Sequence, residues 1–162
     1  MKRLCAVLIV VLVAGSMGLT PVAAQQAGDR YQCDDIELYA MLFYSAIPYD
    51  NDAMFKLFDQ DIESLSRSEA RSAASALEDW ATALKRIDEY DIPWVASDFH
   101  EAMIDYLEAD ADLLSGYANA GERGARPYIS KALAASAELM KADRLATRRC
   151  GIQWTENISF SD

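Results

Sequence analysis

The stretch PWVASDFHEAMIDYLEADADLLSGY, residues 93–117, decides the fold class. Phe99, Met103, Tyr106, Leu107, Leu113, Leu114 and Tyr117 recur at three- and four-residue steps, the period of one face of an α-helix. A helix therefore starts between Pro93 and Ser97 and runs to about Tyr117. The same period continues in both directions.

Upstream, Ser66-Arg67-Ser68-Glu69 reads as a capping box, in which the serine oxygen accepts from the Glu69 amide and the glutamate reaches back. The helix it opens carries Ala73, Ala76, Leu77, Trp80, Leu84 and Ile87 and extends to near Tyr90. Before it, Asn51 to Leu65 fits a short helix with Met54, Leu57, Phe58, Ile62 and Leu65, capped by Asp50 or Asn51. The first helix fits Asp34 to Ile47, with Ile36, Tyr39, Ala40, Phe43, Ala46 and Ile47 on one face and Pro48 as its stop. Downstream, Gly121 and Gly124 belong to a connecting loop, and Pro127 suits the first turn of a last helix. Ile129, Leu133, Leu139 and Met140 are expected to face inward there. Lys141, Arg144, Arg148 and Arg149 complement the dipole at its C-terminal end, and Cys150-Gly151 closes it. No segment reads as a strand or an internal repeat.

The chain begins with a tripartite export pattern. Lys2 and Arg3 form a basic n-region, Leu4 to Gly15 an apolar h-region, and Thr20-Pro21-Val22-Ala23-Ala24 a helix break with small residues for cleavage before Gln25. Residues 1–24 are therefore read as a signal peptide, and 25–162 as a single helical domain with a C-terminal tail from about 151. An uncleaved leader would be a marginal anchor, because its apolar run is short for a span. Cys5 lies too early to be a lipid-attachment cysteine. The implied location is extracytoplasmic, secreted or periplasmic, with no stable membrane anchor after processing. In the tail, Ile152, Trp154, Ile158 and Phe160 are apolar enough that Trp154 is expected to dock.

Cleavage leaves Cys33 and Cys150 as the remaining cysteines, and export brings them into an oxidising compartment where a disulfide forms. The alternative is a pair of free buried thiols. A bridge needs the two Cα atoms within about 4.4–6.8 Å of each other. One cysteine precedes the first helix and the other follows the last, so both termini must lie at one end. Only an even number of full-length helices satisfies that. The expected fold is all-α: a four-helix up-down bundle, with Asn51 to Leu65 as one short accessory helix.

Charge narrows the functions. Without Lys2 and Arg3 the chain carries 13 basic residues against 26 acidic ones, a net charge near −13. That repels nucleic acid and anionic membrane surfaces. Metal chemistry lacks ligands. The single histidine, His100, has Ser97 three residues before it, so no Glu-x-x-His motif can be built. Cys33 and Cys150 are better used together than on zinc, and no Cys-x-x-Cys-His segment exists for covalent haem. His100 sits near a helix start, where solvent or capping roles are commoner than ligation. Glu101, Asp105, Glu108 and Asp112 form a stripe at helical spacing, but calcium sites use a turning loop that this chain lacks, so the stripe reads as a solvated face. No metal and no cofactor are therefore assigned.

Asp110 is the acid that stands out. It lies three residues after Leu107 and three and four before Leu113 and Leu114, in or beside the apolar stripe. A desolvated carboxylate needs a partner. The expectation is a contact with a basic or hydroxyl-bearing side chain of another helix, Arg144, Arg148 or a core tyrosine. The functional alternative is a polar anchor in a ligand pocket formed with Tyr106 and Tyr117. Tyr39, Phe43, Tyr44, Trp80, Tyr106 and Tyr117 are read as core aromatics that converge between helices.

No nucleophile elbow, phosphate-cradling loop or Ser/His/Asp set is present. The leading expectation is a non-catalytic exported module that binds an unidentified protein or small molecule. The alternatives are a small-molecule carrier or enzyme with an inter-helical pocket around Asp110, and a self-associating structural protein of the cell envelope.

Overall fold

The computed structural model describes residues 36–48 and 62–150, together with residues 33, 54, 56 and 57. The signal segment 1–24, the cleavage point before Gln25 and the tail with Trp154 lie outside the described residues. Four helices, α1 (Ile36–Ser45), α2 (Arg67–Leu84), α3 (Trp94–Ala120) and α5 (Ile129–Cys150), form the bundle, with α4 (Glu122–Ala125) a single turn between the last two. Short 3-10 turns lie at Ile62–Ser64, Glu89–Asp91 and Arg126–Tyr128, and no strand occurs among the described residues.

Cys33 and Cys150 are disulfide-bonded, with Cα atoms 5.6 Å apart across 117 positions of sequence. The start of α1 and the end of α5 therefore share one end of the bundle, as an even number of long helices requires. The accessory segment is helical at residues 54, 56 and 57. It contributes Met54, Leu57, Ile62 and Leu65 to the core, all buried.

Both halves of the capping box are present at Ser66. Its Oγ accepts from the Glu69 amide at 3.2 Å, and its own amide donates to Glu69 Oε2 at 2.9 Å. Lys56 of the accessory segment also donates to Glu69 Oε1 at 2.6 Å, tying that segment to the first turn of α2. The Lys56 hydrogen bond, with those from Ser66, holds the Glu69 carboxyl down at about 2. The buried face of α2 is mostly alanine, with Leu77, Trp80 and Leu84 as its large members. Small side chains let helix axes approach closely.

α2 ends at Leu84 rather than near Tyr90. The Asp88 side chain accepts from the Tyr90 amide at 3.0 Å and opens a 3-10 turn instead. Aspartate competes in this way with continued helix, and Tyr90 is left exposed.

α3 is the central element, 27 residues long and packed against both α2 and α5. Its C-terminus is closed by Gly121 at φ 62°, whose amide donates to the Tyr117 carbonyl at 2.7 Å. The acidic stripe lies on the exterior. Glu101 and Asp105 are exposed, Glu108 pairs with Lys85, and Asp112 pairs with Lys131 at 2.7 Å. Such half-exposed pairs contribute at most about 1 kcal/mol each; they link α2 and α5 to either side of α3.

Two local expectations are corrected. Gly124 lies in α4, not in an open loop, and its backbone rests directly on Gly116 of α3. On α5, Leu139 is buried and Ile129 and Met140 are half-buried, but Leu133 faces solvent. The face turned to the core is instead Ala132, Ser136, Leu139, Ala142 and Ala146. Placing small side chains inward allows α5 to seat closely on α3, which turns the bulkier Leu133 outward.

Candidate functional site

Tyr106, Asp110 and Tyr117 all lie on α3, and the structure unites only the first two. Tyr106 and Asp110 are one turn apart, where side chains meet. Tyr117 is half-buried and lies two turns beyond Asp110, about 10 Å along the axis. An open surface groove lined by Ala120, Glu122, Arg123 and Arg126 lies beyond Tyr117 at the end of α3 and includes none of the three.

Asp110 is buried, with 3% of its surface exposed. Its partner is the Tyr106 phenol, with which it shares a side-chain hydrogen bond. The expectation of a partner from another helix is thus corrected. Arg144 and Arg148 are exposed, because α5 turns Ala132, Ser136, Ala142 and Ala146 to the core. Asp110 Oδ1 is buried with no hydrogen-bond partner. Burial pushes the Asp110 carboxyl up to about 7, and the Tyr106 bond offsets only part of that rise. Burial, reinforced by the neighbouring Asp110, in turn pushes the Tyr106 phenol well up. The pair is suited to holding a proton away from water.

A second polar pair was not anticipated. His100 is buried, not solvent-facing, and its Nδ1 is hydrogen-bonded to Tyr39 Oη at 2.9 Å. The rings meet edge to face, 5.8 Å between centroids. Burial lowers the His100 pKa and raises that of Tyr39, so the bond joins two neutral groups and fastens α1 to α3. The signal was available: His100 precedes Met103, Leu107 and Leu114 by three, seven and fourteen residues, on the register of the inner stripe. Around this pair, Phe43 contacts Tyr39, Tyr44, Trp80 and Phe99, with ring centroids 5.6–6.2 Å apart. Those rings hold α1 against α2 and α3. The indole nitrogen of Trp80 is buried there with no hydrogen-bond partner.

Tyr39→Phe is expected to cost about 1–2 kcal/mol, since it strands a buried imidazole nitrogen while keeping the ring contacts. Urea denaturation at pH 8, where His100 is neutral folded or unfolded, checks this. An unchanged midpoint would mean that the ring packing alone holds α1.

No group of three or more His, Cys, Asp or Glu side chains is placed to hold a metal ion among the described residues. No protein-family model, curated protein or solved structure matches this chain.

Proposed function

We propose that this chain is an exported, non-catalytic helical module that binds a protein partner through the outer face of α1. The observation that carries this reading is the two-sided apolar character of that helix. Ile36, Tyr39 and Phe43 are wholly buried on its inner face, yet Leu38 and Met41 are 51% and 64% exposed on the other. A helix apolar on both faces is ordinarily covered on both, and exposed apolar patches mark interaction surfaces. The disulfide fits an oxidising, extracytoplasmic setting. No helix among the described residues is long and apolar enough to cross a membrane.

Native mass spectrometry of the processed protein from its own host tests the reading. A protein complex is expected for the wild type and is expected to be lost in a Leu38→Glu/Met41→Glu double variant whose helical content is unchanged. Persistence of the complex in that variant would rule out the α1 face. A second reading, a small-molecule carrier or enzyme at Tyr106 and Asp110, draws on the unpartnered Asp110 oxygen. It would be favoured by a bound small molecule that disappears in Asp110→Ala. A homodimer mass would instead favour a structural, self-associating role.

A further inference from the structure

We propose that Asp110 is a proton-linked device in the middle of the bundle: its neutral acid fits the site, and its ionised form loosens the seating of α3 between α2 and α5. The geometry carries this. The carboxyl is 3% exposed, its Oδ1 has no hydrogen-bond partner, and no ion pair to it occurs among the described residues. The two lysines nearest in register are used elsewhere, Lys85 of α2 on Glu108 and Lys131 of α5 on Asp112. The face that α2 buries holds only alanine, leucine and tryptophan. The buried residues of α5 are alanines, Leu139 and Ser136, none of which titrates. Asp143 of α5 lies twelve residues beyond Lys131, about 18 Å along that helix. On α1 the buried phenols are Tyr39, which is bonded to His100, ten residues before Asp110, and Tyr44, whose ring packs on Phe43; neither carries a positive charge. Tyr106 is thus the group that meets the carboxyl, and a phenol cannot neutralise an ionised one.

The direction follows from linkage. The unfolded chain releases the Asp110 proton near 3.8, whereas the folded chain keeps it to about 7. Between those values the folded state binds more protons, so stability falls as pH rises, roughly tenfold in the unfolding constant per pH unit, and levels off above the folded value. His100 acts oppositely. Its lowered pKa removes stability as pH falls below its ordinary 6.5, so the wild-type curve alone mixes the two.

The test is urea denaturation of the disulfide-intact protein and of Asp110→Asn from pH 4.5 to 8.5. The contribution of His100 is common to both and cancels in the ratio of their unfolding constants. That ratio, wild type over variant, is expected to rise by about two orders of magnitude between pH 4.5 and 7 and then to stay level. A pH-independent ratio would overturn the proposal. Tyr106→Phe, which removes the Tyr106 hydrogen bond to the ionised form, is expected to leave the start of the rise unchanged and to carry its plateau to higher pH. If the asparagine variant fails to fold, carbon-13 NMR of the wild-type carboxyl decides: titration above pH 6 supports the device, and titration below pH 5 overturns it.

Discussion

Replacing Cys33 and Cys150 together by serine is expected to destabilise the bundle by about 4–5 kcal/mol. The bridge closes a loop of 117 positions, and on the chain-entropy account a loop of about 100 residues contributes roughly 4.7 kcal/mol by restricting the unfolded chain. The tie matters most for α1, which is short. At 10 residues it cannot hold itself in place by backbone hydrogen bonding, and it relies on Tyr39, Phe43 and the covalent tie at its start. A drop of about 10–20 °C in the melting temperature is expected on reduction or in the double variant. Loss of the Tyr39–Phe43 ring packing, read by near-ultraviolet circular dichroism, should lead the transition. A melting temperature unchanged by reduction would show that packing alone anchors the two ends.

Gly124→Ala is expected to destabilise the fold by about 3 kcal/mol. A Cβ built at Gly124 would lie 1.9 Å from the Gly116 carbonyl oxygen, and one built at Gly116 would lie 2.4 Å from that of Gly124. Both obstacles are backbone, so no side chain can rotate away. Relief requires α4 to lift off α3, which carries the start of α5 with it. Overpacking of this kind costs about 1–3 kcal/mol and sometimes more, and a backbone obstacle belongs at the upper end. Gly121→Ala is the internal comparison. Its φ of 62° and ψ of −149° lie in a region that only glycine enters readily, but nothing lies within 4 Å of the added carbon, so a cost of about 2 kcal/mol is expected, from backbone strain alone. Chemical denaturation of the two variants checks the ranking. Equal losses at Gly121 and Gly124 would mean that conformational freedom, not close approach, explains both glycines.

The candidate site was half legible. Asp110 could be placed inside from Leu107, Leu113 and Leu114 alone, because a helix of 3.6 residues per turn puts residues at those spacings on one face. Its partner Tyr106 stands one turn away on the same helix, within reach of the same spacing argument. That Arg144 and Arg148 are turned to solvent instead depended on how α5 is rotated, and Leu133 pointed to the wrong rotation. A leucine at inner spacing reads as core, yet the cross-section left between α3 and α5 suits Ala132, Ser136 and Ala142. His100 was on the inner register throughout, but the buried tyrosine that satisfies it comes from α1, sixty-one positions earlier.

What the sequence determined by itself is therefore what depends on neighbours within a turn or two: the helices, the capping box at Ser66, and, through two cysteines at the borders of the helical set, the even-membered topology. What the tertiary structure decided is how closely the helices sit and how each is turned about its axis: the Gly116–Gly124 contact, the outward Leu133, the Tyr39–His100 bond and the unpartnered oxygen of Asp110. The division is physical. Helical periodicity assigns each residue to a face at a cost settled locally, whereas the rotation and spacing of packed helices are settled by the joint fit of side chains from different segments, which no single stretch of sequence contains.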